Sequence, residues 1–99
     1  MYDMKNMAKL KNLQNLAPET VNSFLVFTET ALKDGAIPAK YKELIAVAVA
    51  VTTQCPYCIE DHAQRARIAG ASDAELGEAT MVAAALRAGG SVAHGLHVV

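Results

Sequence analysis

The fold turns on how Glu43 to Val51, ELIAVAVAV, is read. Its alternating valines suit a buried strand, because β-branched side chains pack well on a pleated surface. They also suit a turn-by-turn inward helix. Two features decide for helix. The segment follows Pro38 and carries Lys40, Lys42 and Glu43 in its first turns, a helix-start pattern. No other stretch of the chain reads as a strand with which it could pair. A helix from near Pro38 to about Thr53 is therefore predicted, and with it an all-α fold.

The stretch that follows, Gln54 to Ala66, is QCPYCIEDHAQRA and holds both cysteines of the chain. Pro56 fits a first helical position, which makes Cys55 the N-cap and Cys58 the third residue of a helix ending at Gly70. Ser72 and Glu75 have capping-box spacing and open the next helix, whose inward side is Leu76, Ala79, Thr80, Ala83 and Leu86. That helix is expected to run to about Ala88, to break at Gly89-Gly90, and to be followed by a short last helix over Ser91–Val99. Upstream, Pro18 opens a helix with Val21, Phe24, Leu25, Thr28, Ala31 and Leu32 facing inward, closed by Lys33 and Gly35. Met4 to Leu16 reads as a short lysine-rich helix. The predicted architecture is a helical bundle around a central antiparallel hairpin.

The chain has 99 residues, and these are read as one domain. Apolar residues make up 53%, with 19 alanines and no tryptophan, which suits closely packed helices with small contact residues. That is more apolar surface than one small core hides, so a homo-oligomer is expected. A net charge of −1 gives no field for nucleic acid or an anionic membrane. The longest apolar run, Leu44 to Val51, has 8 residues, against the roughly 20 needed to span a bilayer. The start, MYDMKNMAKLKNL, lacks the apolar core of a signal peptide. A soluble cytoplasmic protein is expected. In that reducing compartment a close cysteine pair is catalytic or metal-binding more often than a structural staple.

At about 100° per residue, Cys55 and Cys58 lie about 60° apart on the helix, with His62 between them. Ala66 and Ala69 continue that stripe, and Glu60, Gln64 and Arg67 take the far side. If the chain reverses near Thr53, Glu43 lies about ten residues up one helix and His62 about eight down the next, so their levels differ by only a few ångströms. Roles then follow from chemistry. Cys58 feels the positive end of the helix dipole and the open N–H groups, which lower a thiol pKa. His62 can take the thiol proton, and Glu43 can fix its tautomer and stabilise its charged form. Cys55 is close enough in sequence for a disulfide with Cys58.

Other readings stand beside this one. Two buried thiols can be inert, since free cysteine packs as a small hydrophobe. A zinc site would use Cys55, Cys58, His62 and either His94 or His97, but a second ligand pair at standard spacing is missing. Asp61 and Arg65 form an i,i+4 surface pair, and Tyr57 is a packing or pocket-rim residue. CPYC is also the motif of glutaredoxins, which need later strands and a proline loop. Here nothing after Gly70 reads as strand and no proline follows Pro56. That fold is excluded. Its chemistry, with Cys55 as the attacking sulfur, remains the rival to attack by Cys58.

From about Pro38 to Gly90 the sequence resembles the alkyl hydroperoxidase D-like branch of the carboxymuconolactone decarboxylase family. The resemblance rests on Glu43-Leu44 in an apolar helix, then Cys55, Cys58 and His62 at the family's spacings. Ala66, Gly70 and a capped next helix ending at Gly-Gly follow. It implies an all-helical, homo-oligomeric protein, as dimer, trimer or hexamer. It also implies a cofactor-free antioxidant dithiol enzyme with a hydroperoxide substrate. In that mechanism Cys58 attacks the peroxide, Cys55 resolves the sulfenic acid to a disulfide, and an external dithiol or reductase regenerates the pair. Glu43 and His62 match the family's proton relay. The decarboxylase branch lacks the cysteine pair. Tyr57 stands where the best-known peroxidases of the branch carry a second histidine.

Overall fold

Glu43–Val51 is helical in the computed structural model, which describes residues 2–99. A 3₁₀ helix (Met4–Lys9) leads into α1 (Leu10–Leu16), followed by α2 (Pro18–Leu32), α3 (Ala39–Thr53), α4 (Pro56–Ile68) and α5 (Asp73–Gly95). No strand occurs among the described residues, so the all-α expectation holds. No helix among them is long and apolar enough to cross a membrane.

The central hairpin is α3 and α4, and α5 packs against α3. Two tight closures set its geometry. At the end of α3, Gln54 takes a left-handed conformation (φ 58°), and the N–H groups of Gln54 and Cys55 both reach the Ala50 carbonyl. This reverses the chain within two residues, Gln54 and Cys55, and delivers Cys55 as the N-cap of α4 with Pro56 next. At the end of α4, Ala71 N–H bonds the Ala66 carbonyl at 2.8 Å and Gly70 N–H bonds that of Arg67 at 3.0 Å, a Schellman closure. Gly70 sits at φ 102°, where a Cβ is strained. Gly70→Ala is expected to cost about 1–2 kcal/mol, read as a lower midpoint in urea with an unchanged slope.

α5 opens at Ser72 as predicted. Ser72 Oγ accepts the Glu75 N–H at 3.1 Å, and Glu75 Oε1 accepts the Ser72 N–H at 2.9 Å. Lys40 Nζ lies 2.9 Å from Glu75 Oε2 and links α3 to α5. The Ser72 backbone N–H and then the Lys40 ammonium hold the Glu75 carboxyl below the ordinary carboxylate range. That pairing is therefore in place above the usual glutamate pKa and fades as pH falls through the lowered one.

The core lies where these helices meet. Val47, Ala66, Ala71 and Leu76 are buried, with Leu44, Val51 and Ala63 packed around them. Ala66 has no exposed surface, so small residues let α4 approach α3 closely.

Three expectations are corrected. Gly89-Gly90 does not break the last long helix, and the segment from Ser91 is not a separate one, because α5 continues to Gly95. Neither glycine adopts positive φ, and glycine in a helix interior costs only about 1 kcal/mol, too little to end a well-capped helix. The predicted inward face of α2 is buried only at Val21, while Phe24 is 56% exposed. α2 packs chiefly on α1 and barely touches α3. Likewise Leu86 is 69% exposed, because α5 leaves the core beyond Ala83. The radius of gyration, 16.2 Å, exceeds the roughly 12.6 Å of a compact chain of this length. The accessible surface, 7412 Å², exceeds by about 2,000 Å² what a compact monomer of this mass presents.

Candidate functional site

Four side chains from α3, α4 and its N-cap form the candidate site. Cys55 and Cys58 are joined as a disulfide with Cα atoms 5.3 Å apart. Cys55 Sγ also accepts the Cys58 N–H at 3.2 Å, so sulfur serves as the helix cap in place of the usual hydroxyl or carboxylate. The first turn of α4 carries no acidic side chain, and Pro56 supplies no N–H. The positive end of this helix therefore faces sulfur. Both cysteines are half-buried.

His62 follows one turn after Cys58 on α4. Its Nδ1–H donates to Glu43 Oε2 at 2.6 Å, a short charge-assisted bond between α4 and α3. Glu43 is 7% exposed and is the one buried charged residue among those described. A carboxylate so placed needs a partner, since burying an unpaired charge is strongly unfavourable. The nearby lysines point elsewhere: Lys40 to Glu75, and Lys42 Nζ to the Lys33 carbonyl at 2.7 Å. The imidazole meets the need. The register estimated from the hairpin brings acid and imidazole into direct contact, without a bridging water.

Elsewhere the stripe on α4 is shorter than expected. Ala66 is buried, but Ala69 is exposed as the cap residue, while Glu60, Gln64 and Arg67 lie on the outer side. Asp61 and Arg65 form their i,i+4 pair at 3.0 Å. His94 donates Nδ1–H to the Gly90 carbonyl of its own helix at 3.1 Å, beside the His97 ring. Among the described residues no three His, Cys, Asp or Glu side chains stand together as a cation site.

One feature of the site has no signal in the sequence. The N-terminal segment folds back onto α4. Asn6 Nδ2 donates to Tyr57 Oη at 3.0 Å, the Asp3 N–H does so at 3.3 Å, and Tyr2 Oη donates to Glu60 Oε2. No local spacing connects these residues.

Residues 18–99 match the sequence profile described as the carboxymuconolactone decarboxylase family. Among curated relatives, uncharacterized protein 4 in a cox locus of Paracoccus denitrificans is 48% identical over 73 residues, which is 74% of this chain and 66% of the relative. An uncharacterized protein of Haemophilus influenzae is 41% identical over 49 residues, 50% of this chain and 43% of its own length. The chain thus spans just under two thirds of the first relative and less than half of the second. A crystal structure of an apo carboxymuconolactone decarboxylase family protein from Legionella pneumophila superposes with a TM-score of 0.78 at 36% identity, covering 83% of this chain and 73% of that one. A crystal structure from Methanobacterium thermoautotrophicum gives 0.81 at 35% identity, covering 87% and 97%.

Proposed function

The chain belongs to the carboxymuconolactone decarboxylase family, and on that premise we propose that it is a dithiol oxidoreductase of the alkyl hydroperoxidase D-like branch, reducing hydroperoxides. The observation that carries this reading is the Glu43–His62 bond of 2.6 Å on the helix that bears the Cys55–Cys58 pair. Packing needs neither a buried carboxylate nor an imidazole there. A proton relay beside a thiol needs both.

In the reduced state His62 takes the proton of Cys58. With Nδ1–H held by Glu43, the lone pair that does this is on Nε2. The Cys58 thiolate attacks the outer oxygen of the hydroperoxide. The S–O bond forms, the O–O bond breaks, and the alkoxide leaves with the proton from His62 as an alcohol. Cys55 then attacks the sulfenic acid of Cys58, forming the disulfide and releasing water. An external dithiol returns both cysteines to thiols by two exchanges and becomes a disulfide itself. The chemistry suits the cytoplasm, where such dithiols are maintained.

A second copy of the chain is part of this reading. Phe24, Phe27, Leu86 and Val92 are each more than half exposed, and the surplus surface of about 2,000 Å² matches that buried in stable oligomers. Light scattering on the eluting protein is expected to give a dimer or larger. A monomer at micromolar concentration would contradict it.

One observation favours a rival mode. Cys55 Sγ already accepts an N–H, which would stabilise a Cys55 thiolate and suits general thiol–disulfide exchange led by Cys55. Steady-state assay with an alkyl hydroperoxide and a dithiol reductant separates the readings. Many turnovers per chain are expected. Rapid exchange with small disulfides and no peroxide consumption would favour the general oxidoreductase. A single oxidation with a change of assembly would favour a redox-sensing subunit.

A further inference from the structure

Tyr57 lies on the covalent path between the two sulfurs, and the N-terminal segment touches down on it. Its Oη receives the Asn6 amide and the Asp3 N–H. The rings of Tyr2 and Tyr57 meet edge-on with centroids 5.0 Å apart, a favoured aromatic geometry. Tyr2 then continues along α4 to the carboxylate of Glu60. Asp3 also caps its own 3₁₀ helix, its side chain accepting the Lys5 N–H at 3.0 Å. The contacts of Asn6, Asp3 and Tyr2 with Tyr57 join residues far apart in sequence and fall within the turn that the disulfide closes, while Glu60 lies just beyond it.

Opening that disulfide changes the turn. The two sulfurs must move from bonding distance to van der Waals contact. The backbone and side-chain torsions from Cys55 to Cys58 absorb the movement, with Tyr57 in their midst. A contact geometry matched to one state need not fit the other equally. Any such difference is a coupling free energy, and it acts equally in both directions.

Building on the dithiol reading above, we propose that Tyr57 is a positioning residue for the Cys55–Cys58 pair, through which residues Tyr2 to Asn6 act as a latch that favours the disulfide over the dithiol. The latch is seated on the oxidised turn. Reduction, in which two electrons and two protons pass from an external dithiol to the two sulfurs, loosens it. The N-terminal segment thereby sets how readily the pair is reduced.

The test uses the full chain in dithiothreitol buffers of graded ratio, with the disulfide fraction read by alkylation and mass spectrometry. Tyr57→Phe keeps the ring and removes the hydroxyl, and Asn6→Ala removes one donor to it. Each is expected to shift the equilibrium toward the dithiol by about 3–10-fold, a rise in midpoint of about 14–30 mV at about 30 mV per tenfold for two electrons. Amide exchange over residues 2–9 is expected to be faster in the reduced wild-type protein than in the oxidised one, and this difference should vanish in Tyr57→Phe. Midpoints within experimental error of wild type, with exchange independent of redox state, would overturn the latch and leave the dithiol reading intact. A wild-type pair that never titrates as a reversible two-electron couple would overturn both.

Discussion

Cys58→Ser is expected to reduce hydroperoxide turnover by about 10³-fold or more, because a serine hydroxyl neither ionises near neutral pH nor attacks an O–O bond. The loss should appear with every peroxide that the wild-type protein consumes. Cys55→Ser has a different expected phenotype. Cys58 should still react once, at close to the wild-type rate, and stop as a sulfenic acid that a 1,3-diketone probe captures on that residue. The internal disulfide should be absent. Intact-mass and peptide analysis distinguish the two variants in one experiment. Normal turnover of Cys55→Ser with a dithiol reductant would remove the resolving role from Cys55. A silent Cys55→Ser with a reactive Cys58→Ser would move the attack to Cys55 and favour the exchange mode. Both substitutions are nearly isosteric and fall at half-buried positions, so the fold should survive them.

The pair Glu43 and His62 carries the second large effect, and it should divide between rate and stability. His62→Ala removes the proposed base and is expected to lower kcat/KM by about 10²–10⁴-fold. It also strips the imidazole from a carboxylate that is 7% exposed, which should cost about 1–3 kcal/mol of stability. Glu43→Gln keeps the shape and a hydrogen-bond acceptor but removes the charge that favours the imidazolium. A loss of about 10–100-fold in rate is expected, with a smaller loss of stability. The double variant should be more stable than His62→Ala alone, since no buried charge then lacks its partner. A double-mutant cycle measured in urea should show a coupling of about 1–3 kcal/mol. Wild-type activity of Glu43→Gln across the pH range would show that the carboxylate serves the fold alone.

The local rules were readable wherever a signal and its consequence lie within one or two turns. Pro56 after Cys55, and Ser72 with Glu75, announce two helix starts that the structure shows in detail. Glu43 and His62 were legible together because a short reversal at Thr53–Cys55 turns sequence distance into helical level. The residue that makes the reversal was not legible, since Gln54 takes a left-handed conformation that glycine or asparagine more often adopts. Gly89-Gly90 misled for the opposite reason. Two glycines look like a stop, yet continued backbone bonding outweighs their modest cost. The helical periodicity of Phe24 and Leu86 correctly marks apolar faces, but periodicity does not say whether the same chain covers them. The contact of Tyr2 with Tyr57 was beyond reach, because only tertiary folding brings the N-terminus to the dithiol.

The most direct measurement is a single-turnover stopped-flow experiment in which the fully reduced protein is mixed with one equivalent of an alkyl hydroperoxide. The expected result is rapid formation of one Cys55–Cys58 disulfide per chain and one equivalent of alcohol. Its rate should far exceed that of a small dithiol at the same pH, and the excess should be lost in His62→Ala. Oxidation no faster than that of the small dithiol, or unchanged by His62→Ala, would show that the buried acid and imidazole do nothing for the sulfur beside them.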